Sequence, residues 1–276
     1  MQVEEVVRQI LANAGVEATD EVVKEIVERA GDDVKKAIKE AKIYAKTANL
    51  PRIKGIVVGI RTRDPTLPYV RQVLARFNAG EVDQLIQEGC IATDDEGNVI
   101  YDENGQPVIL DNRPDSPNYG KPVRSYTIYH IALATDEGIV EVMTTRAIED
   151  LKPGMKIEVA VLQNGWISSR VPPKILGYAM KDELVNALKD HTITIEEATK
   201  LAGQRKLAIV EGFVTALIPG GVRMSDYETG LDELVVYYDY CNDEPNEGDD
   251  VIAVGYVTQS RKYNNYVLNG SLIVLK

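Results

Sequence analysis

Cysteine, histidine and bulky aromatics are scarce in this chain. Its 276 residues include two cysteines, two histidines, one tryptophan and two phenylalanines. Cys90 and Cys241 stand in unrelated contexts, so neither a disulfide framework nor a CxxC metal site can be drawn from them. His130 and His191 form no HxH or HExxH pattern, and the sequence contains no P-loop and no GxGxxG. Acid/base or nucleophilic catalysis usually needs a His, Cys or carboxylate cluster with a partner at workable spacing. The reading is therefore that the protein is not an enzyme and uses no metal or cofactor. The run DEPNEGDD lacks the alternating oxygen ligands of an EF-hand and reads as a charged turn. No apolar run approaches the ~20 residues of a membrane-spanning helix, and the start MQVEEVVRQ lacks the features of a signal peptide. A cytoplasmic location without membrane contact is expected.

Positive charge is also in deficit. The net charge is -12, which at first argues against a nucleic-acid ligand, because phosphate binding draws on Lys and Arg. The charge is segregated, however. Residues 51–76 carry Arg52, Lys54, Arg61, Arg63, Arg71 and Arg76 against the single acid Asp64, whereas 232–250 carries eight acids and no base. A protein with one positive groove needs such segregation.

Residues 3–47 show helical periodicity in three pieces. Val3, Val6, Val7, Ile10, Leu11 and Ala14 make one apolar stripe that stops at Gly15. Thr19 or Asp20 caps a second piece with Val23, Ile26, Val27 and Ala30, and Asp32 and Asp33 open a third with Val34, Ala37, Ile38 and Ala41. Residues 1–50 are thus expected to form a small three-helix bundle. Its ten acids against eight bases suit protein docking or self-association better than DNA.

From residue 52 the period becomes that of strands. The segment 53–63 is rich in β-branched residues and is followed by an insertion, 64–120, with helical potential at 69–87. In GNVIYDENGQPVIL two apolar runs flank Asn104 and Gly105, a hairpin signal. Strands are expected at 123–134, 138–145 and 154–163, with a last one at 166–170. Residues 181–204 read as a helical linker with a capping box at 194–197. A second strand series follows at 207–217, 222–226, 234–240, 250–258 and 266–275.

The two series match each other. KGIVVGIRTR corresponds to AIVEGFVTAL, and Gly154 before MKIEVAV corresponds to Gly248 before DDVIAVG. Five strands with a bent, glycine-bearing first strand describe the OB-fold, a five-stranded Greek-key barrel. The expected fold class is mainly β with α: two OB-fold-like barrels at 51–180 and 205–276, the helical linker between them, and the N-terminal helices. An SH3-like barrel or a small sandwich fits the same strand series. With these strands, glycines and aromatic/basic loops, the chain over about 53–276 resembles single-stranded DNA-binding proteins of the replication protein A type, in archaeal or viral form. That resemblance implies a role in DNA replication, recombination or repair.

Single strands on an OB-fold lie across strands two and three, between the loop joining the first two strands and the loop joining the last two. They need aromatic faces for bases and cations for phosphates. In the second series the last loop, SRKYNNY, offers Arg261, Lys262, Tyr263 and Tyr266; the other reading is a solvated hairpin tip. Arg223 and whichever of Tyr237 and Tyr238 points outward extend that surface. In the first series the candidates are Arg61, Arg63, Lys121, Arg124, Tyr126, Tyr129, Trp166 and Arg170. Tyr126 and Tyr129 have opposite parity on a period-two strand, so one faces the ligand unless a bulge intervenes. Trp166 can equally be a core residue, and Arg61 and Arg63 can pair with acids of the insertion. Sequence-tolerant binding of single-stranded DNA is the leading expectation. An adaptor for protein partners and an RNA-binding protein of translation are the alternatives.

Overall fold

The computed structural model describes residues 3–31, 33–227, 233–260 and 265–276. Helices α1 (Val3–Asn13), α2 (Asp20–Ala30) and α3 (Val34–Thr47) turn their periodic apolar stripes onto one cluster built from Val7, Leu11, Val23, Ile26, Ala30, Ala37 and Ala41. Capping fixes where two of them begin. Thr19 Oγ1 accepts the Val22 N–H, and Asp33 Oδ1 accepts the N–H groups of Lys35 and Lys36.

Strand β1 (Arg52–Arg63) then enters a five-stranded sheet. The chain falls into two compact units, one made of Met1–Arg61 with His130–Lys276 and the other of Thr62–Tyr129. The second holds α4 (Leu67–Asn78) and α5 (Val82–Gln87) around a core of Val73, Leu85, Cys90, Ile91 and Ile109. Its hairpin turns where the Asn104/Gly105 pair placed it: Tyr101 bridges Pro107, and Asp102 N–H donates to the Gln106 carbonyl.

In the first unit the sheet is completed by β2 (Ile128–Thr135), β3 (Gly138–Thr144), β4 (Met155–Ala160) and β5 (Lys174–Tyr178), in the order β3-β2-β1-β4-β5. Val57, Ile131, Leu133, Val142, Ile157 and Val159 fill its core. Two expectations need correction here. The strand expected at 123–134 starts at Ile128, because Val123 donates its backbone N–H to Ile109 and Pro122 bridges Leu110 within the other unit. The strand expected at 166–170 is a pair of isolated bridges, Trp166 with Met143 and Ile167 with Val161, and the fifth strand lies beyond Pro172 and Pro173. Two consecutive prolines supply no N–H to a ladder, so pairing resumes only after them.

Helices α6 (Lys181–Leu188) and α7 (Ile195–Lys200) lead into β6 (Leu207–Ile218), β7 (Gly221–Ser225), β8 (Glu233–Tyr237), β9 (Asp250–Gln259) and β10 (Tyr266–Leu275). These five strands close into a barrel ordered β10-β8-β7-β6-β9, with β8 and β10 parallel. The fold is thus mainly β with helices, one closed five-stranded barrel and one separate antiparallel sheet. Glycine in the first barrel strand answers a close approach. A Cβ at Gly212 would lie 2.3 Å from the Ser225 carbonyl oxygen of β7. The segment read as a linker is a wedge: Leu184 and Leu188 of α6 share a buried cluster with Ile56, Val58, Ala132 and Ala134 of the sheet and Ile209, Ile252, Val254 and Val274 of the barrel.

Candidate nucleic-acid interface

On β8 the pleat sends Leu234 and Val236 inward and Glu233 and Tyr237 outward, and on β7 Val222 and Met224 point inward and Arg223 outward. Antiparallel register sets Arg223 opposite Val235 and Gly221 opposite Tyr237. Parallel pairing adds Val267 and Asn269 of β10 beside Val235 and Tyr237. A Cβ at Gly221 would meet the Val236 carbonyl at 2.1 Å and Tyr237 Cδ1 at 3.1 Å. One edge of the Tyr237 ring thus sits over Gly221, where a side chain would crowd it, and the residue remains 43% exposed. Arg223 Nη1 sits 3.3 Å from Glu233 Oε2, with both side chains near half exposure. Asn269 is held by donating to Thr258 Oγ1 at 2.9 Å.

Parity thus separates the two tyrosines that sequence left open. Tyr237 faces outward, and Tyr238 packs half-buried against the barrel core, where burial raises its phenol pKa. Tyr266, at the start of β10, also packs on that core. Arg261, Lys262 and Tyr263 lie outside the described residues.

No family model and no curated protein matches this sequence. Among solved structures, the chain is similar to one described as "Structural mimicry for functional antagonism", at 15% identity over 60% of this chain and 85% of that one, with a TM-score of 0.30. It is also similar to the tetrameric p202 HIN2, at 16% identity over 56% and 82% of the two chains, with a TM-score of 0.27. At these scores neither likeness carries an argument, and the site is read from its own geometry.

The first-series candidates occupy several places. Arg61 is committed internally: its Nη2 donates to both Glu141 carboxylate oxygens at 3.0 and 3.1 Å, sits 3.0 Å from His130 Nδ1, and its guanidinium lies 5.9 Å from the Tyr256 ring centre. Burial and then Glu141 push the Tyr256 phenol up to about 12. Arg61 therefore pairs with β3 and not with an acid of the insertion. Arg63 is exposed in the Thr62–Tyr129 unit. In that same unit Arg124 and Tyr126 line a cleft of about 440 Å³ with Thr66, Asp111, Arg113 and Asn118, while Lys121 is exposed and Tyr129 half-buried. Trp166 is half-buried on its bridge to Met143, and Arg170 lines a narrow cleft with Arg52, Glu158 and Lys174.

Sequence reasoning missed Tyr227 and the pair Tyr178 and Tyr240. Tyr227 donates from its hydroxyl to Asp250 Oδ1 at 2.9 Å, and burial followed by that carboxylate raises its pKa. Tyr178 stacks on Tyr240 across 62 residues of sequence, a separation no local pattern reports.

Proposed function

We propose that the protein binds single-stranded DNA on the outward face of β7, β8 and β10, with sequence tolerance. The observation that carries this reading is Tyr237: an open aromatic ring braced on glycine backbone, beside Arg223, on the second and third strands of a closed barrel. A fixed ring that reaches water offers a platform for a base, worth about 1–3 kcal/mol per stacked base. Arg223 supplies a charge for the neighbouring phosphate. The strand order β10-β8-β7-β6-β9 is compatible with an OB-fold, whose second and third strands carry oligonucleotides. We assign the same OB-type plan to β1–β5, whose fifth strand begins only after Pro172 and Pro173. A non-enzymatic role in replication, recombination or repair, in the cytoplasm, completes the proposal, with the N-terminal helices serving protein contact or self-association.

Fluorescence anisotropy with labelled oligo-dT, oligo-U and duplex DNA tests it at low ionic strength. Salt-sensitive binding of oligo-dT above duplex is expected, weakened about tenfold in Tyr237→Ala. Absence of binding to any single strand overturns the reading, and preference for oligo-U moves the ligand to RNA.

A further inference from the structure

A second aromatic surface lies where the chain leaves β8. Tyr178, at the end of β5, stacks nearly parallel on Tyr240, with ring centres 5.3 Å apart and planes 12° from coplanar. Tyr240 is itself backed by Gly154, where a Cβ would fall 2.6 Å from the ring's Cε1. Tyr240 also packs against the buried cluster that contains Leu184 and Leu188. The outer ring is thus held on a fixed support, yet Tyr178 is 45% exposed. A ring held in this way gives up little rotamer freedom when a flat ligand covers it.

We propose that Tyr178, supported by Tyr240, is a second base-stacking platform for the same single strand that lies on Tyr237. This inference rests on the proposed function and extends its path. Tyr237 and Tyr240 are three residues apart, so their Cα atoms lie within about 11 Å. With Tyr178 one stacking distance further on, both platforms fall within the roughly 4–16 nucleotides a single OB-type module covers.

The same edge could instead offer itself to a partner strand. Against that, β5 is bulged: Lys156 pairs with Gly177 but Ile157 pairs with Ile175, leaving Leu176 as the extra residue, and Gly177 has φ +96°. Such a bulge interrupts the hydrogen-bonding row that strand addition requires. The planar ring remains usable where the backbone edge is not.

The test compares wild type, Tyr178→Leu, Tyr178→Phe and Tyr237→Ala in oligo-dT binding over a series of lengths. Leucine keeps apolar cover on Tyr240 without a π face, and phenylalanine keeps the face. Tyr178→Leu should bind long oligo-dT about 5- to 100-fold more weakly and lose the affinity gain that wild type shows with length, whereas Tyr178→Phe should match wild type. Irradiation of a bromodeoxyuridine-substituted strand on wild type should label the tryptic peptide 175–181. If Tyr237→Ala weakens binding while Tyr178→Leu does not, and the label maps elsewhere, the second platform is wrong and the first reading stands. Concentration-dependent dimerisation in wild type that Tyr178→Leu abolishes, with unchanged DNA affinity, would reassign the surface to self-association. No binding by wild type ends both.

Discussion

Arg223 reaches the outward face of the barrel with Glu233 3.3 Å away, so its charge is already shared before any phosphate arrives. Exposed pairs of this kind contribute roughly 0–1 kcal/mol. Glu233→Gln should therefore leave stability near wild type and tighten oligo-dT binding by about two- to fivefold at low salt, measured by anisotropy. Asp111, in the Thr62–Tyr129 unit, represents the opposite regime. It is buried and accepts from Arg113 Nε and Nη2 at 2.8 and 2.7 Å and from Ser116 Oγ at 2.7 Å, and Arg113 holds its carboxyl well below the ordinary range. A depressed folded-state pKa adds stability above the unfolded carboxylate value of about 3.9, and that contribution fades as pH falls toward the folded value. Asp111→Asn should accordingly weaken protection of the Thr62–Tyr129 unit at pH 7, with the gap to wild type narrowing below about pH 4. Peptide-resolved hydrogen exchange across that unit provides the measurement.

Among the elements, α6 has the largest structural consequence for its size. Leu184 and Leu188, fully buried, face sheet residues on one side and barrel residues on the other. Truncating either leaves a cavity between walls that cannot both collapse inward. Leu188→Ala should destabilise by about 2–5 kcal/mol in chemical unfolding, while leaving the Thr62–Tyr129 unit with its own protection pattern. The helical character of 181–204 was visible in sequence, but the surfaces that Leu184 and Leu188 cover were not. Local alternation placed β6, β7, β9 and β10 to within a residue or so, because one face of each strand is core. It overran β8, expected to 240 and ending at Tyr237, since a run of Val and Tyr does not say where the pairing stops. It misplaced the fifth sheet strand because Trp166 and Ile167 read as strand while the ladder waits for residues after Pro173. At the candidate site, sequence narrowed the outward tyrosine to Tyr237 or Tyr238 and the register decided it. The partner of Arg61 was out of reach for a different reason: Glu141 is 80 residues away, and residue type alone does not distinguish a phosphate contact from an internal ion pair.

At the scale of the whole molecule the acidic total, -12, now has a structural counterpart in how the cations are used. Of the basic strip at 51–76, Arg61 is bound to Glu141, and Arg76 is bound to Glu81 and Glu88 at 2.7 Å each. On the barrel face Arg223 is half-committed to Glu233. At the proposed face the cation is Arg223, so stacking is expected to carry more of the binding there than charge does. For single strands the logarithm of affinity falls with the logarithm of salt by about 0.7 per neutralised phosphate. One phosphate contact, from Arg223, predicts a slope of about -0.7, far shallower than for a broad basic groove. Anisotropy titrations of oligo-dT from low to moderate salt measure the slope. A slope near about -0.7 that flattens further in Arg223→Ala supports a strand held mainly by stacking, with Arg223 as its phosphate contact. A slope of about -3 or steeper that Arg223→Ala leaves unchanged would show that the phosphates are held elsewhere than on this face.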